Sequence, residues 1–149
     1  MLALVFHAHG ARYAIRAAQI ERLLTDQPLR PAPALAPPAV LGLLRDGGDL
    51  VPVIDSGLLL GQRPESGPAA WRIVLCRLSD HPPRRLALRV RDAFELTRIR
   101  VRMLRLALGQ AAFLGDFLDG EGEPQLLELA EVLPAELAAL ARELTDTGS

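Results

Sequence analysis

The sequence has 149 residues, half of them apolar, and a formal net charge of −1 at pH 7. This composition argues against a disordered chain, and the length predicts about one domain. The single cysteine excludes an internal disulfide, and no apolar run is long enough to span a membrane. We therefore expect one cytoplasmic domain with a core of ordinary size and no direct membrane insertion.

Short apolar runs separated by glycine and proline indicate a protein built from β-strands. A segment with five prolines, Gln27–Pro38, is predicted to cross between elements, because proline cannot donate to a sheet. Ile99–Met103 is either a strand or a connector. The other predicted strands are Leu2–Ala8, Arg12–Ile15, Ile20–Thr25, Trp71–Leu78 and Arg85–Leu96.

The central stretch, Val40–Gly61, predicts a β-hairpin followed by a short capped turn. Asp46-Gly47 lies between two apolar runs, and glycine accepts the positive φ that tight hairpin turns require. The predicted strands are Val40–Leu44 and Leu50–Ile54, and Asp55 stands where a helix N-cap would. The structural motif of this hairpin comprises Gly42, Pro52, Val53, Ile54 and Asp55. Because Val53 and Ile54 point to opposite faces, both being apolar predicts burial on both sides of the strand.

A similar pattern returns 73 positions later, over residues 113–128. Gly115 corresponds to Gly42, and Glu128 corresponds to Asp55. Two such hairpins suggest two similar β units in one chain. A closing helix is predicted from Pro134 to Leu144, because proline suits the first helical position and the leucines lie along one face. The fold class is therefore all-β, with small barrels and a C-terminal helix.

The residues contain no recognisable catalytic arrangement. His7 and His9 share a face but lack further ligands at a suitable spacing, so we expect no metal and no cofactor. Cys76 lies among apolar residues, where a thiol behaves as a small hydrophobe. Residues 84–105 carry eight arginines, but only Phe94 among them is aromatic, and the whole chain is slightly acidic. We therefore expect no binding to nucleic acid.

The order of these motifs resembles the CheW-like domain of bacterial chemosensory systems. That family opens with a strand, a turn and a Tyr-x-Ile strand, here Tyr13-Ala14-Ile15, and its next strand begins at Ile20. Prolines then precede a hairpin that ends in Pro-Val-Ile-Asp, here Pro52 to Asp55. The resemblance covers nearly the whole chain. It implies a single domain over residues 1–149, made of two SH3-like five-stranded barrels packed around one core.

The resemblance also implies a function, that of a non-enzymatic adaptor. Such a protein bridges the cytoplasmic tip of a methyl-accepting chemoreceptor to the regulatory domain of a CheA-like histidine kinase. Two departures from the family pattern stand out. Arg45 lies seven residues before Pro52 rather than five, unless Gly47 occupies the arginine's place, and Val90-Arg91 replaces the family's Val-Asp. Both suggest a diverged member that serves a pathway other than flagellar chemotaxis.

A receptor-binding groove is the predicted functional site, with its residues carried over from the resemblance. For Ile20 and Leu24 an ordinary place in the core is the alternative. Alternation should separate Leu23 from Leu24, since whichever faces solvent has no packing reason to be leucine. If neither served, the Arg98–Arg105 region would be the next candidate. The predicted groove comprises Ile20, Leu23, Leu24, Arg45 and Val90.

Two other classes of function compete with the adaptor. One is a small ligand-binding β-barrel with an enclosed polar pocket between its two halves. The other is a hydrolase or metal enzyme whose site is too dispersed to recognise in the sequence.

Overall fold

The structure is a computed structural model that describes residues 1–61, 63–64, 66–80, 83–93, 96–98 and 124–129. Within these residues the chain is mostly β-strand with little helix, which confirms the predicted all-β class. A 3-10 turn at Ala17–Gln19 and a one-turn helix, α1 (Ser56–Leu59), interrupt the strands. The strands are β1 (Leu2–Ala8), β2 (Ala11–Arg16), β3 (Ile20–Thr25), β4 (Val40–Asp46), β5 (Asp49–Asp55), β6 (Trp71–Asp80), β7 (Pro83–Arg91), β8 (Leu96–Arg98) and β9 (Gln125–Leu127).

The five strands from β3 to β7 close into a barrel, which we call the inner barrel. Their pairing runs β3-β6-β7-β5-β4, and the β5–β7 contact is parallel. The barrel closes where Arg30, downstream of β3, exchanges two backbone hydrogen bonds with Leu43 of β4, at 2.9 and 2.8 Å. Its interior is filled by a cluster of buried side chains: Leu44, Val51, Val53, Ile73, Leu75 and Ala87.

The other strands form what we call the outer half. β1 pairs with β2 and β8, and β9 adds to β2 in parallel register from Tyr13–Gln125 to Ile15–Leu127. β1 also meets the inner barrel, where His7 pairs with Arg91 of β7. β5 and β9, the corresponding strands of the predicted repeat, each form a parallel pair. The repeat itself stays a prediction, because residues 113–123 lie outside the described part of the chain.

The largest core cluster lies between the inner barrel and the outer half. Leu4 and Phe6 reach it from β1, and Leu88 reaches it from β7. The Phe6 and Tyr13 rings pack 5.8 Å apart at a tilt, an arrangement that aromatic pairs favour. Burying these apolar faces against each other holds the two halves together.

Two tight turns lie where they are expected: one in the gap between the predicted strands Leu2–Ala8 and Arg12–Ile15, and one at the predicted Asp46-Gly47 turn. His9 and Gly10 connect β1 to β2 with φ values of 46° and 81°, the positive pair that a two-residue hairpin turn requires. Gly47, at φ 63°, follows Asp46 in the β4–β5 turn. The β4 and β5 strands are slightly longer than predicted, since they extend to the Asp46–Asp49 pair.

The hairpin motif is structural in this fold. A Cβ on Gly42 would lie 2.6 Å from the Arg30 carbonyl oxygen, so only glycine fits beside the bridge that closes the inner barrel. Pro52 lies opposite Leu43, whose backbone groups bond to Arg30 instead, so β4 does not require the missing proline N–H. These two positions explain why glycine and proline occur inside strands.

The predicted burial of Val53 and Ile54 on opposite faces is confirmed. Val53 is 0% exposed inside the inner barrel, and Ile54 is 1% exposed in the core between the halves. The predicted cap is confirmed as well: the buried Asp55 carboxylate accepts a hydrogen bond of 2.9 Å from the Leu58 N–H. The turn ends at Gly61, which has a φ of 74°.

The strand predicted over Arg85–Leu96 is wrong in its extent. β7 ends at Arg91 because Asp92 adopts a φ of 57° and its N–H turns to donate to the Ala70 carbonyl. Aspartate tolerates this left-handed conformation better than most residues. The chain then resumes as β8, against β1. The closing helix over 134–144, the stretch 99–103 and the first strand of the second hairpin lie outside the described residues.

Candidate functional site: a groove between the two halves

An apolar groove of about 340 Å³ lies where β3 of the inner barrel passes the outer half. We call it the β3 groove. Leu4 of β1 and Leu96 of β8, which pair across their strands, form one wall. Leu96 is 49% exposed, and neighbouring Leu2 is 41% exposed. The lining residues are Leu4, Ala17, Ile20, Glu21, Arg22, Leu23 and Leu96.

A register shift in β3 determines which side chains face this groove. Ile20 pairs with Cys76, but Arg22 already pairs with Leu75, so Glu21 is an extra residue, a β-bulge. In a regular strand, residues three apart face opposite sides. With the bulge, Ile20 and Leu23 face the same side, and both pack against the core between the halves while lining the groove.

The charged side chains at the edge of the groove are already paired. The Glu21 carboxylate accepts hydrogen bonds from Arg77 Nε at 2.8 Å and Arg85 Nε at 3.1 Å. Arg22 forms an ion pair with Asp46 of the β4–β5 hairpin. The groove is therefore an apolar surface whose charged neighbours are already in ion pairs. It offers no unpaired charged group in its described lining that would bind a charged ligand.

The predicted groove residues separate into two groups. The structure brings Ile20 and Leu23 together in the β3 groove. Leu24 pairs with Ile73 and packs against the interior cluster of the inner barrel, so the core alternative holds for it. The question that alternation left open is answered: Leu23 faces the groove and Leu24 faces inward.

Val90 and Arg45 do not line the groove. Val90 is 0% exposed in the core between the halves, so the prediction that it contributes surface to a binding groove is corrected. Arg45 is exposed, but it pairs with Leu50 in the β4–β5 hairpin and is not among the residues that line the groove. A rim position for Arg45 stays a prediction.

Five lining residues were missed: Leu4, Ala17, Glu21, Arg22 and Leu96. Leu4 lies in a correctly predicted strand and was assigned to no surface. Leu96 was placed at the end of a strand continuous with Arg85, and only its pairing with β1 brings it to the groove. The only signal available in the sequence was a leucine that directly follows Glu95 at the end of a predicted strand.

Neither histidine of the His7–His9 pair belongs to a metal site in the described part of the chain. His9 has left the strand for the β1–β2 turn, where its Nε2 lies 2.6 Å from the Arg63 carbonyl oxygen. The described residues contain no group of three or more side chains that could ligate a metal. Cys76 is fully buried, and burial, helped by the Glu21 carboxylate, raises the pKa of its thiol to about 12.

A second arginine on β7 provides a useful comparison with Arg85. Arg89 lies four residues along the same strand and donates to both Asp26 carboxylate oxygens, at 3.0 and 2.9 Å. Its guanidinium also stacks 4.1 Å from the centroid of the Trp71 ring. Arg89 holds the pKa of Asp26 below its ordinary value, mainly through these hydrogen bonds. This pair lies on the inner barrel but does not line the β3 groove.

The model of the CheW-like domain family matches residues 2–133 of the sequence. The chain belongs to this family. Its fold is similar to the crystal structure of the scaffolding protein TtCheW from Thermoanaerobacter tengcongensis, with a TM-score of 0.74 at 16% identity over 91% of this chain and 89% of that one. No curated protein matches the sequence.

Membership of the CheW-like family bears out the predicted all-β, CheW-like fold and the resemblance on which it rested. The division into two five-stranded barrels and the C-terminal helix stay predictions. It supports a chemotaxis scaffold or adaptor role, and it supports a non-enzymatic protein over the hydrolase or metal enzyme. Among the helices in the described residues, none is both long enough and apolar enough to cross a bilayer.

Proposed function

We propose that this CheW-like protein couples methyl-accepting chemoreceptors to a CheA-like histidine kinase, and that the β3 groove receives the receptor's cytoplasmic tip. The observation that carries this proposal is the apolar groove itself. Its lining includes Leu96, a leucine that is half-exposed without a packing reason. Exposed apolar side chains grouped in this way mark protein contacts.

The composition of the groove favours a protein partner over a small ligand. Its one acidic and one basic side chain are both engaged in ion pairs, so converging polar groups that would orient a small molecule are missing from its described lining. The ligand-binding alternative requires an enclosed pocket between the halves, but the core cluster that includes Leu4, Phe6 and Leu88 fills the interior there, and the β3 groove at its edge is bordered by the half-exposed Leu96. No observation favours that alternative.

The interface with the receptor is expected to be of modest size. A groove of this volume accepts a few apolar side chains of a helix, which corresponds to a buried area of roughly 1,000 Å² or less. A few residues carry most of the energy in such interfaces, and Leu23 and Leu96 are the expected ones. The kinase domain would then bind elsewhere on the protein, in the cytoplasm beneath the receptor array.

The test replaces leucines inside and outside the groove. Leu23→Asp and Leu96→Asp place a charge in the groove, and Leu41→Asp is the matched control because Leu41 is 41% exposed on β4, outside the groove lining. We expect both groove variants to weaken binding of the receptor tip by about tenfold or more. Leu41→Asp should leave receptor binding unchanged, and binding of the kinase regulatory domain should be unchanged in all three.

Using two groove variants separates a loss of receptor binding from a loss of folding. Leu23 also packs on the core, so its replacement lowers stability, whereas Leu96 lies on a short exposed strand and can be replaced at little cost. Receptor binding that survives both changes, measured by calorimetry on folded protein, contradicts the proposal.

We also propose that the protein serves a signalling pathway other than flagellar chemotaxis. The longer hairpin around Arg45 and the Val90-Arg91 pair favour an output other than flagellar chemotaxis. Deleting the gene and scoring swimming, surface motility and second-messenger levels would identify the output, and a purely swimming defect would contradict the non-flagellar assignment.

A further inference from the structure

A cluster of six charged side chains borders the β3 groove, and two of them, Glu21 and Arg22, belong to its lining. At its centre is Arg85 of β7, whose side chain is only 11% exposed. Its guanidinium contacts Glu21 Oε2 at 3.1 Å and Asp49 Oδ2 at 3.2 Å, and it also pairs with Asp46. One arginine therefore joins the β3 bulge to both ends of the β4–β5 turn.

Two further arginines complete the cluster. Arg77 of β6 donates to Glu21, and Arg22 of β3 pairs with Asp46. Three carboxylates thus face three guanidinium groups, and the cluster is neutral as a whole. Arg22 and Arg77 are 52% and 44% exposed, so water screens their interactions strongly. Arg85 is the most buried of the three, and its contacts are the least screened.

From this arrangement we propose that Arg85 is the positioning residue of the β3 groove. It acts through Glu21, the extra residue of the bulge, and does not itself line the groove. By anchoring the Glu21 carboxylate to the inner barrel, Arg85 fixes the bulge that lets Ile20 and Leu23 face the same side. The inference rests on the proposed function in one respect, namely that the groove is the receptor site.

The physical argument compares the bulged strand with a regular one. A bulge leaves one residue unpaired in the ladder, so it needs side-chain contacts that a regular register does not. Without Arg85, three partly buried carboxylates would share only the two exposed arginines, and their mutual repulsion would favour moving Glu21 outward. A shift of one residue in register would turn Leu23 away from the groove.

Lysine cannot replace arginine here. The planar guanidinium offers five donors in a fixed fork and contacts carboxylates on two sides, whereas an ammonium group is a compact point charge. Arg85→Lys therefore keeps the charge of the cluster but loses the geometry that connects Glu21 to both Asp46 and Asp49. Arg85→Met removes both.

The experiment measures the groove directly and separately from function. Methyl-labelled protein reports the Ile20 and Leu23 methyl resonances by NMR, and calorimetry reports affinity for the receptor tip and for the kinase regulatory domain. Arg89→Met is the matched control, because Arg89 is a half-buried arginine on the same strand that pairs with Asp26 and contacts neither Glu21 nor the groove.

We expect Arg85→Met and Arg85→Lys to shift or broaden the Ile20 and Leu23 methyl resonances and to weaken receptor binding by about tenfold, with kinase binding unchanged. Glu21→Gln removes one negative charge from the cluster and keeps the side-chain size, so it should show the same methyl changes to a smaller degree. Arg89→Met should leave the groove methyls and both affinities as in the wild type, even where it lowers stability.

Two outcomes overturn the inference. In one, the groove methyls of Arg85→Lys match those of the wild type; in the other, Arg89→Met perturbs them as much as Arg85→Met does. A wild-type protein that does not bind the receptor tip overturns the proposed function instead, and the methyl resonances then decide the role of Arg85 alone.

Discussion

Replacing Ile54 by alanine should test the placement of the core between the two halves. Ile54 is 1% exposed, pairs with Val40 in the hairpin and lies opposite Leu88 of β7. Its backbone therefore lies between β4 and β7 within the inner barrel, and its side chain reaches the shared core.

The size of the effect follows from the atoms removed. Ile→Ala deletes three methyl or methylene groups, which are worth about 0.8 kcal/mol each when they are fully buried. The cavity left in a core that relaxes only partly brings the expected loss to about 2–5 kcal/mol. For a chain of this length, each kcal/mol lowers Tm by about 2–4 °C, so a decrease of about 4–20 °C is expected.

The measurement is urea unfolding followed by circular dichroism, with thermal unfolding alongside. Leu41→Ala is the control, because Leu41 lies in the same hairpin but is 41% exposed. We expect Leu41→Ala to change the free energy of unfolding by less than about 1 kcal/mol, without a change in m-value for either variant. An Ile54→Ala protein that unfolds at the wild-type midpoint would falsify the assignment of Ile54 to the shared core.

Three further predictions concern polar groups. Asp55→Ala should lower the free energy of unfolding by about 1 kcal/mol or more, because the Leu58 N–H loses its cap; an unchanged urea midpoint contradicts the cap. Arg89→Met should raise the pKa of Asp26 towards its ordinary value. Because the folded-state pKa is depressed, the pair stabilises the fold above pH 3.8 and is lost as pH falls through the lowered value; an NMR titration showing no rise refutes this. Cys76 should resist a thiol reagent at pH 8 until urea unfolds the chain; fast labelling of native protein refutes its burial.

Local patterns predicted the strands and the hairpin motif well. The φ values of Gly10 and Gly47, the cap on Asp55 and the burial of Val53 and Ile54 each depend on residues close together in the sequence. Turn chemistry and alternation are sufficient for such features, because the competing conformations are few.

Of the predicted groove residues, only Ile20 and Leu23 line the groove, and the structures of β3 and β7 explain the others. Alternation assigns residues to faces only if the strand is regular, and the bulge at Glu21 is stabilised by Arg77 and Arg85, which lie more than fifty positions away. Val90 was assigned to the groove from the family resemblance, and alternation could not have corrected that assignment. β7 is buried on both faces, with Ala87 and Leu88 each 0% exposed, so alternation there does not identify a solvent side.

The order of the strands along the chain determines which half can fold first. All five strands of the inner barrel come from one continuous stretch, Ile20 to Arg91, whereas β2 of the outer half pairs with β9, joining Tyr13 to Gln125. Contacts between distant residues form slowly, because loop closure must precede the gain from pairing.

The inner barrel can therefore form while the remainder of the chain is still being synthesised, and the β2–β9 pair must wait for it. During that interval the apolar face of β1 and β2 lacks its final neighbour. We therefore expect closure of the outer half to be the slow step of folding, and the chain to be most exposed to aggregation before that step.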